Sequence, residues 1–214
     1  MKKADKLKRI RVAIDYALRV PQVQKTFTTV GFSKADLTQG KALLAQVQML
    51  DAVQQKEYGD RYRATDELTQ AKQQMWALYT RHLETARFAL KEERGYWKTL
   101  ELSGKRKANL FGWLTQARTF YDNAPLVKTI LAKYDLSEAE LQQGASMIDA
   151  VIEAYNVRQK EDSEAQAATQ QRNEVLARLE NWMRRFTQSA RLAFIDDPQT
   201  LKGLGLISRA LLNN

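Results

Sequence analysis

The chain of 214 residues contains no cysteine and a single histidine. Without cysteine there is no disulfide framework, no thiol nucleophile and no thiolate-bound metal. One histidine cannot build a multi-histidine metal centre within a chain. No stretch reaches the roughly 18 consecutive apolar residues that a membrane-spanning helix requires. Asn-Gly and Asp-Gly hairpin turns between alternating runs are missing, so nothing asks for strands. The phosphate-loop and dinucleotide fingerprints are missing too: Gly40-Lys41 lacks the upstream glycine at the required spacing, and no nucleophile elbow occurs. These absences remove most catalytic classes, and no enzyme, cofactor, metal or small-molecule substrate is expected.

What is present is charge and helix-forming residues. The chain holds 34 Lys+Arg against 25 Asp+Glu, a net of +9, with 44% hydrophobic and 28% charged residues, the composition of a folded protein. The basic N-terminus carries Asp5 and Asp15 and lacks an uninterrupted apolar core, unlike a secretory signal or transit peptide. A soluble, cytoplasmic protein is expected.

The chain repeats itself internally. FSKADLTQG at 32–40 matches LSEAELQQG at 136–144, an offset of 104. The offset holds without a gap, with 21 identities between residues 21–102 and 125–206. It aligns Pro21 with Pro125, Arg81 with Arg185 and Arg87 with Arg191. The expected fold is all-α, a tandem duplication of a helical bundle of about 104 residues with three to four helices per copy. The expected domains are a basic bundle at 1–104 and a near-neutral bundle at 105–214. Helix one has a counterpart at 108–123, so it reads as part of the fold.

Within each copy, Ser33-Lys-Ala-Asp36 and Ser137-Glu-Ala-Glu140 have the form of capping boxes, which start helices near 34 and 138. The polar stretches Tyr58-Gly59-Asp60 and Asp162-Ser163-Glu164 interrupt the apolar periodicity and predict a break in each helix. The stripe Met75, Tyr79, His82, Ala86 and Leu90 then corresponds to Leu179, Met183, Phe186, Ala190 and Phe194. His82 therefore reads as a packed core residue, because its duplicate is Phe186. The pairs Glu92-Glu93 and Asp196-Asp197 read as helix caps, with Pro198 opening a final helix. Gly40 and Gly144 lie inside capped helices, where glycine costs roughly 1 kcal/mol, and predict close approach of another element. Arg81/Arg185 and Arg87/Arg191 read as structural charges, and Trp76 as a partner contact wherever it is exposed.

Residues 1–107 hold 22 Lys+Arg against 12 Asp+Glu, a net of +10, and residues 108–214 hold 12 against 13, a net of −1. The basic excess concentrates in Lys2, Lys3, Lys6, Lys8, Arg9 and Arg11 and in Lys105, Arg106 and Lys107. These nine form the candidate patch for an anionic partner. The expected function is a non-catalytic interaction or structural protein of two related bundles, with a protein partner or self-association. The alternative is a nucleic-acid-associated protein that holds phosphate backbone without sequence specificity through its basic N-terminal half.

Overall fold

Two reciprocal caps organise the computed structural model, which describes residues 3–206. The Ser33 amide donates to the Asp36 carboxylate at 2.9 Å, and the Asp36 amide donates to Ser33 Oγ at 3.2 Å. Ser137 and Glu140 repeat the exchange at 2.9 and 3.3 Å. Each box satisfies amides that an uncapped helix leaves open. From them run two helices of 56 residues, α3 (Lys34–Ala89) and α7 (Glu138–Ala193). Before α3 lie α1 (Lys3–Arg19) and α2 (Pro21–Thr29), with Pro21 at the first helical position, where its missing amide costs nothing. After α3 come α4 (Arg94–Thr99) and α5 (Leu110–Asn123). Short 3₁₀ turns flank α6 (Lys128–Leu131) ahead of α7, and α8 (Pro198–Gly203) closes the described chain. The fold is all-α, with no strand among the described residues. The bounds of α3 and α7 differ by 104 at both ends, and those of α4 and α8 do the same.

The two expected helix breaks do not occur. Helix α3 passes through Tyr58-Gly59-Asp60, and α7 through Asp162-Ser163-Glu164. A lone glycine and a run of polar residues lower helix propensity, but only proline removes a backbone bond outright, and neither stretch contains one. The same stretches instead mark where the hydrophobic core divides. The chain forms two compact units, residues 1–58 with 164–214, and residues 59–163. The expected boundary at 104 lies inside the second unit. Each unit thus takes the N-terminal part of one long helix and the C-terminal part of the other.

Unit 1 buries Ile10, Ala13, Ile14 and Ala17 of α1 and Val23 and Phe27 of α2, together with Leu37, Leu44 and Val47 from α3. Leu179, Trp182, Phe186 and Ala190 of α7 and Leu201 of α8 complete its core. Inside this unit the α3 and α7 segments run antiparallel, joined by Arg172–Asp51 at 2.9 Å and Arg185–Asp36 at 3.0 Å. Gly40 sits here because a Cβ would come within 2.3 Å of the Trp182 ring, whose Nε1 donates to the Asp36 carbonyl at 2.8 Å.

Unit 2 buries Met75, Tyr79, His82, Leu83 and Ala86 of α3 against Trp113, Leu114, Ala117, Phe120 and Tyr121 of α5, and Leu141, Ile148 and Val151 of α7. Arg61–Asp162 at 2.8 Å and Arg81–Glu140 at 3.9 Å join its antiparallel segments. Arg81–Glu140 and Arg185–Asp36 are the same pair shifted by 104, which bears out the structural reading of those two arginines. Gly144 is required as Gly40 is, but by a different ring: a Cβ there would lie 2.2 Å from Tyr121. The α5 face is shifted relative to α1, since Arg118 takes the position of Ile14 and pairs with Asp149 at the surface.

Candidate anion-binding surfaces

Of the nine residues expected to meet an anionic partner, Lys2 lies outside the described residues, and Lys3 opens α1. Lys6 is already engaged, with Nζ 2.6 Å from Glu180. Lys8, Arg9 and Arg11 are exposed on α1, and no ion-pair partner is seen for them among the described residues. Because Ile10, Ala13, Ile14 and Ala17 of the same helix are spent in the core, α1 presents a mainly charged side outward, with Val12 exposed beside Arg11. Lys105, Arg106 and Lys107 belong to the other unit. Arg106 is held structurally, because its guanidinium donates to Tyr79 Oη at 2.8 Å and to the Ser103 carbonyl at 2.7 Å.

Division into units also redistributes charge. Residues 1–58 and 164–214 hold 18 Lys+Arg against 10 Asp+Glu, a net of +8, whereas residues 59–163 hold 16 against 15, a net of +1. Neither unit is acidic.

The near-neutral unit nevertheless contains a concentrated basic site. A cleft of about 830 Å³ is lined by Lys91, Arg94, Trp97, Lys98, Glu101, Ser103, Lys107 and Gln116. Arg94 and Lys98 are one helical turn apart on α4, with Trp97 between them in sequence. The indole Nε1 of Trp97 donates to the Leu90 carbonyl at 2.7 Å, which ties α4 to the end of α3. The strap after α4 is held from beneath: Arg87 donates to the carbonyls of Leu102 at 2.7 Å and Gly104 at 3.3 Å. The Lys107 amide donates to Gln116 Oε1 at 2.8 Å, fixing the strap to α5. Glu101 takes a left-handed backbone conformation, with φ of 49°, and its Oε2 is buried without a hydrogen-bond partner among the described residues. Of these lining residues, sequence reasoning singled out Lys107 within its patch. Lys91, Arg94 and Lys98 were missed because Glu92, Glu93 and Glu101 interleave with them and no basic run appears. The readable signal was the i, i+4 spacing of Arg94 and Lys98 around a tryptophan.

No protein-family model matches this chain, and no curated protein or solved structure is significantly similar to it. Function therefore rests on the residues themselves.

His82 is buried, with 1% of its surface exposed, and its Nδ1 lies 3.1 Å from Tyr121 Oη. Burial brings its pKa down to about 4, with the Arg81 charge acting the same way and Glu140 opposing. Burial likewise raises Tyr121 and Tyr79 above the usual phenol value. His82 is thus a neutral core residue, as its Phe186 counterpart suggested. The expected caps are only half borne out: Asp197 accepts from the Thr200 amide at 3.0 Å, but the Glu93 side chain makes no cap hydrogen bond. Glutamate is a methylene longer than the residues that cap well. Trp76 is 41% exposed and packs edge-on against buried Trp113, with ring centroids 5.3 Å apart. Among the described residues no helix is long and apolar enough to cross a membrane.

Proposed function

We propose that the protein is a non-catalytic interaction protein, built by tandem duplication of a unit of about 104 residues, that associates with further copies of itself. The recurrence of helix bounds at an offset of 104 supports the duplication. One observation carries self-association. Phe88 and Leu192 occupy the same repeat position, one in each unit, and are 69% and 65% exposed. Each is accompanied by a second exposed apolar side chain. Tyr134 meets Phe88 edge-on at 5.5 Å, and Ile195 follows Leu192 with 72% exposure. Single exposed apolar residues need no explanation, but exposure of the same repeat position in both units, each with a second exposed apolar side chain of unlike position, gives each unit an apolar patch that another copy can cover. Opposite charge is not the basis of this contact, because neither unit is acidic. Light scattering over a concentration series tests it. The mass rises above one chain for the wild type, and a constant single-chain mass at the highest concentration contradicts the reading.

The exposed Lys8, Arg9 and Arg11 on α1 favour a second reading, a nucleic-acid-associated protein gripping phosphates through unit 1. It requires binding to DNA or RNA that weakens steeply with salt and disappears in the triple variant K8E/R9E/R11E. Absence of binding at low ionic strength removes this reading. A cytoplasmic location belongs to the same proposal.

A further inference from the structure

We propose that the cleft formed by α4, the strap at 101–107 and the start of α5 binds a free nucleoside polyphosphate as a ligand. Lys91, Arg94, Lys98 and Lys107 line it with one carboxylate, Glu101, so the lining carries a net charge of +3. No ion-pair partner is seen for these four cations among the described residues, although the rest of unit 2 is nearly balanced in charge. Phosphate groups are the anions of matching charge density for lysine and arginine. The cleft is not only a positive surface. Trp97 supplies an aromatic wall, held in place by its bond to Leu90, against which a planar base can stack. The volume of about 830 Å³ is in the range of sites that hold small organic ligands. Two arginines, Arg87 and Arg106, fix the strap from its inner side, so the lining is formed before a ligand arrives.

The duplication supplies an internal contrast. The positions equivalent to Lys91, Arg94, Trp97 and Glu101 hold Ile195, Pro198, Leu201 and Gly205, and only Lys98 keeps its charge, as Lys202. Packing of the shared fold therefore does not require the cations at 91 and 94 or the carboxylate of unit 2, whereas position 97 is apolar in both, as Trp97 and buried Leu201. The site is independent of Phe88 and Leu192, so its failure and the failure of self-association are separate results.

Isothermal titration calorimetry on the full chain tests the assignment with ATP, tripolyphosphate, adenosine and a single-stranded oligonucleotide as probes. ATP should bind more tightly than tripolyphosphate by about tenfold, through the base contacts that the latter lacks. Adenosine alone should bind far more weakly than ATP. The variant K98E/K107E, altered only at exposed side chains and checked for an unchanged helical spectrum, should weaken ATP by about tenfold or more. The variant K8E/R9E/R11E in unit 1 should leave ATP binding unchanged. Any of four results overturns the proposal: no ATP binding, equal binding of ATP and tripolyphosphate, indifference to K98E/K107E, or an oligonucleotide that binds at least as tightly as ATP.

Discussion

His82 shows what one difference between two repeat-equivalent core positions entails. Its counterpart Phe186 sits among Phe27, Phe32 and Trp182 with ring centroids 5.1–5.8 Å away, an apolar cluster. In unit 2 the histidine turns that position polar and couples it to Tyr121. Its folded pKa of about 4 lies below the ordinary 6.5, so the unfolded chain binds a proton first as pH falls. Stability therefore drops from pH 6.5 towards 4, by on the order of 3 kcal/mol over that window. Asp36, Glu140 and Asp197, held below their usual range chiefly by hydrogen bonds from Ser33, Ser137 and Thr200, add further losses only at lower pH. H82F should flatten the upper part of this dependence, between about pH 6 and 5, in urea unfolding series. An unchanged slope there would assign the proton uptake to another group.

Glycine gives a second contrast at the same scale. Gly59 has open space where a Cβ would lie, so G59A should stabilise the chain by about 0.5–1 kcal/mol. Gly144 has none, and G144A should destabilise by about 1–3 kcal/mol because the Tyr121 ring must move. Thermal unfolding that moved both variants in one direction would show that propensity alone governs these positions.

At the scale of elements, the helix starts were legible because capping is local. Ser33, Ser137 and Asp197 announce themselves within three residues, and S33A or S137A should each cost about 1 kcal/mol in unfolding free energy. An effect below a few tenths would mean that neighbouring contacts replace the cap. The polar stretches near 59 and 163 were visible as well, but their meaning was not. A loss of apolar periodicity reports that a face has stopped packing, and it is silent on whether the backbone turns. The cleft was legible only in part: Lys107 stood in a basic run, whereas Lys91, Arg94 and Lys98 are brought together with it by the turn after α3 and the strap after α4.

For the whole molecule, the internal sequence repeat hides its own packing. When two copies share a pattern, the first half of α3 can cover the second half of either long helix with similar chemistry. The sequence therefore shows the repeat, while the choice of partner within it depends on side-chain fit such as Gly40 with Trp182. Because each unit draws on both halves of the chain, residues 1–104 alone lack Val175, Leu179, Trp182 and Phe186, the α7 side of the unit 1 core. That fragment should not fold as a monomer, and mixing it with residues 105–214 should restore cooperative unfolding. A monomeric, cooperatively folding 1–104 would contradict the reciprocal units. The charge surplus lies in the first half of the sequence, +10 against −1, and the reciprocal units share it as +8 and +1, so neither unit is left acidic.

The proposed self-association runs through the exposed repeat position held by Phe88 and Leu192. Sedimentation equilibrium of the wild type beside F88S/L192S tests it most directly. The wild type should show a mass above one chain and the variant a single-chain mass, with unchanged helix content. Equal masses for the two proteins would contradict it.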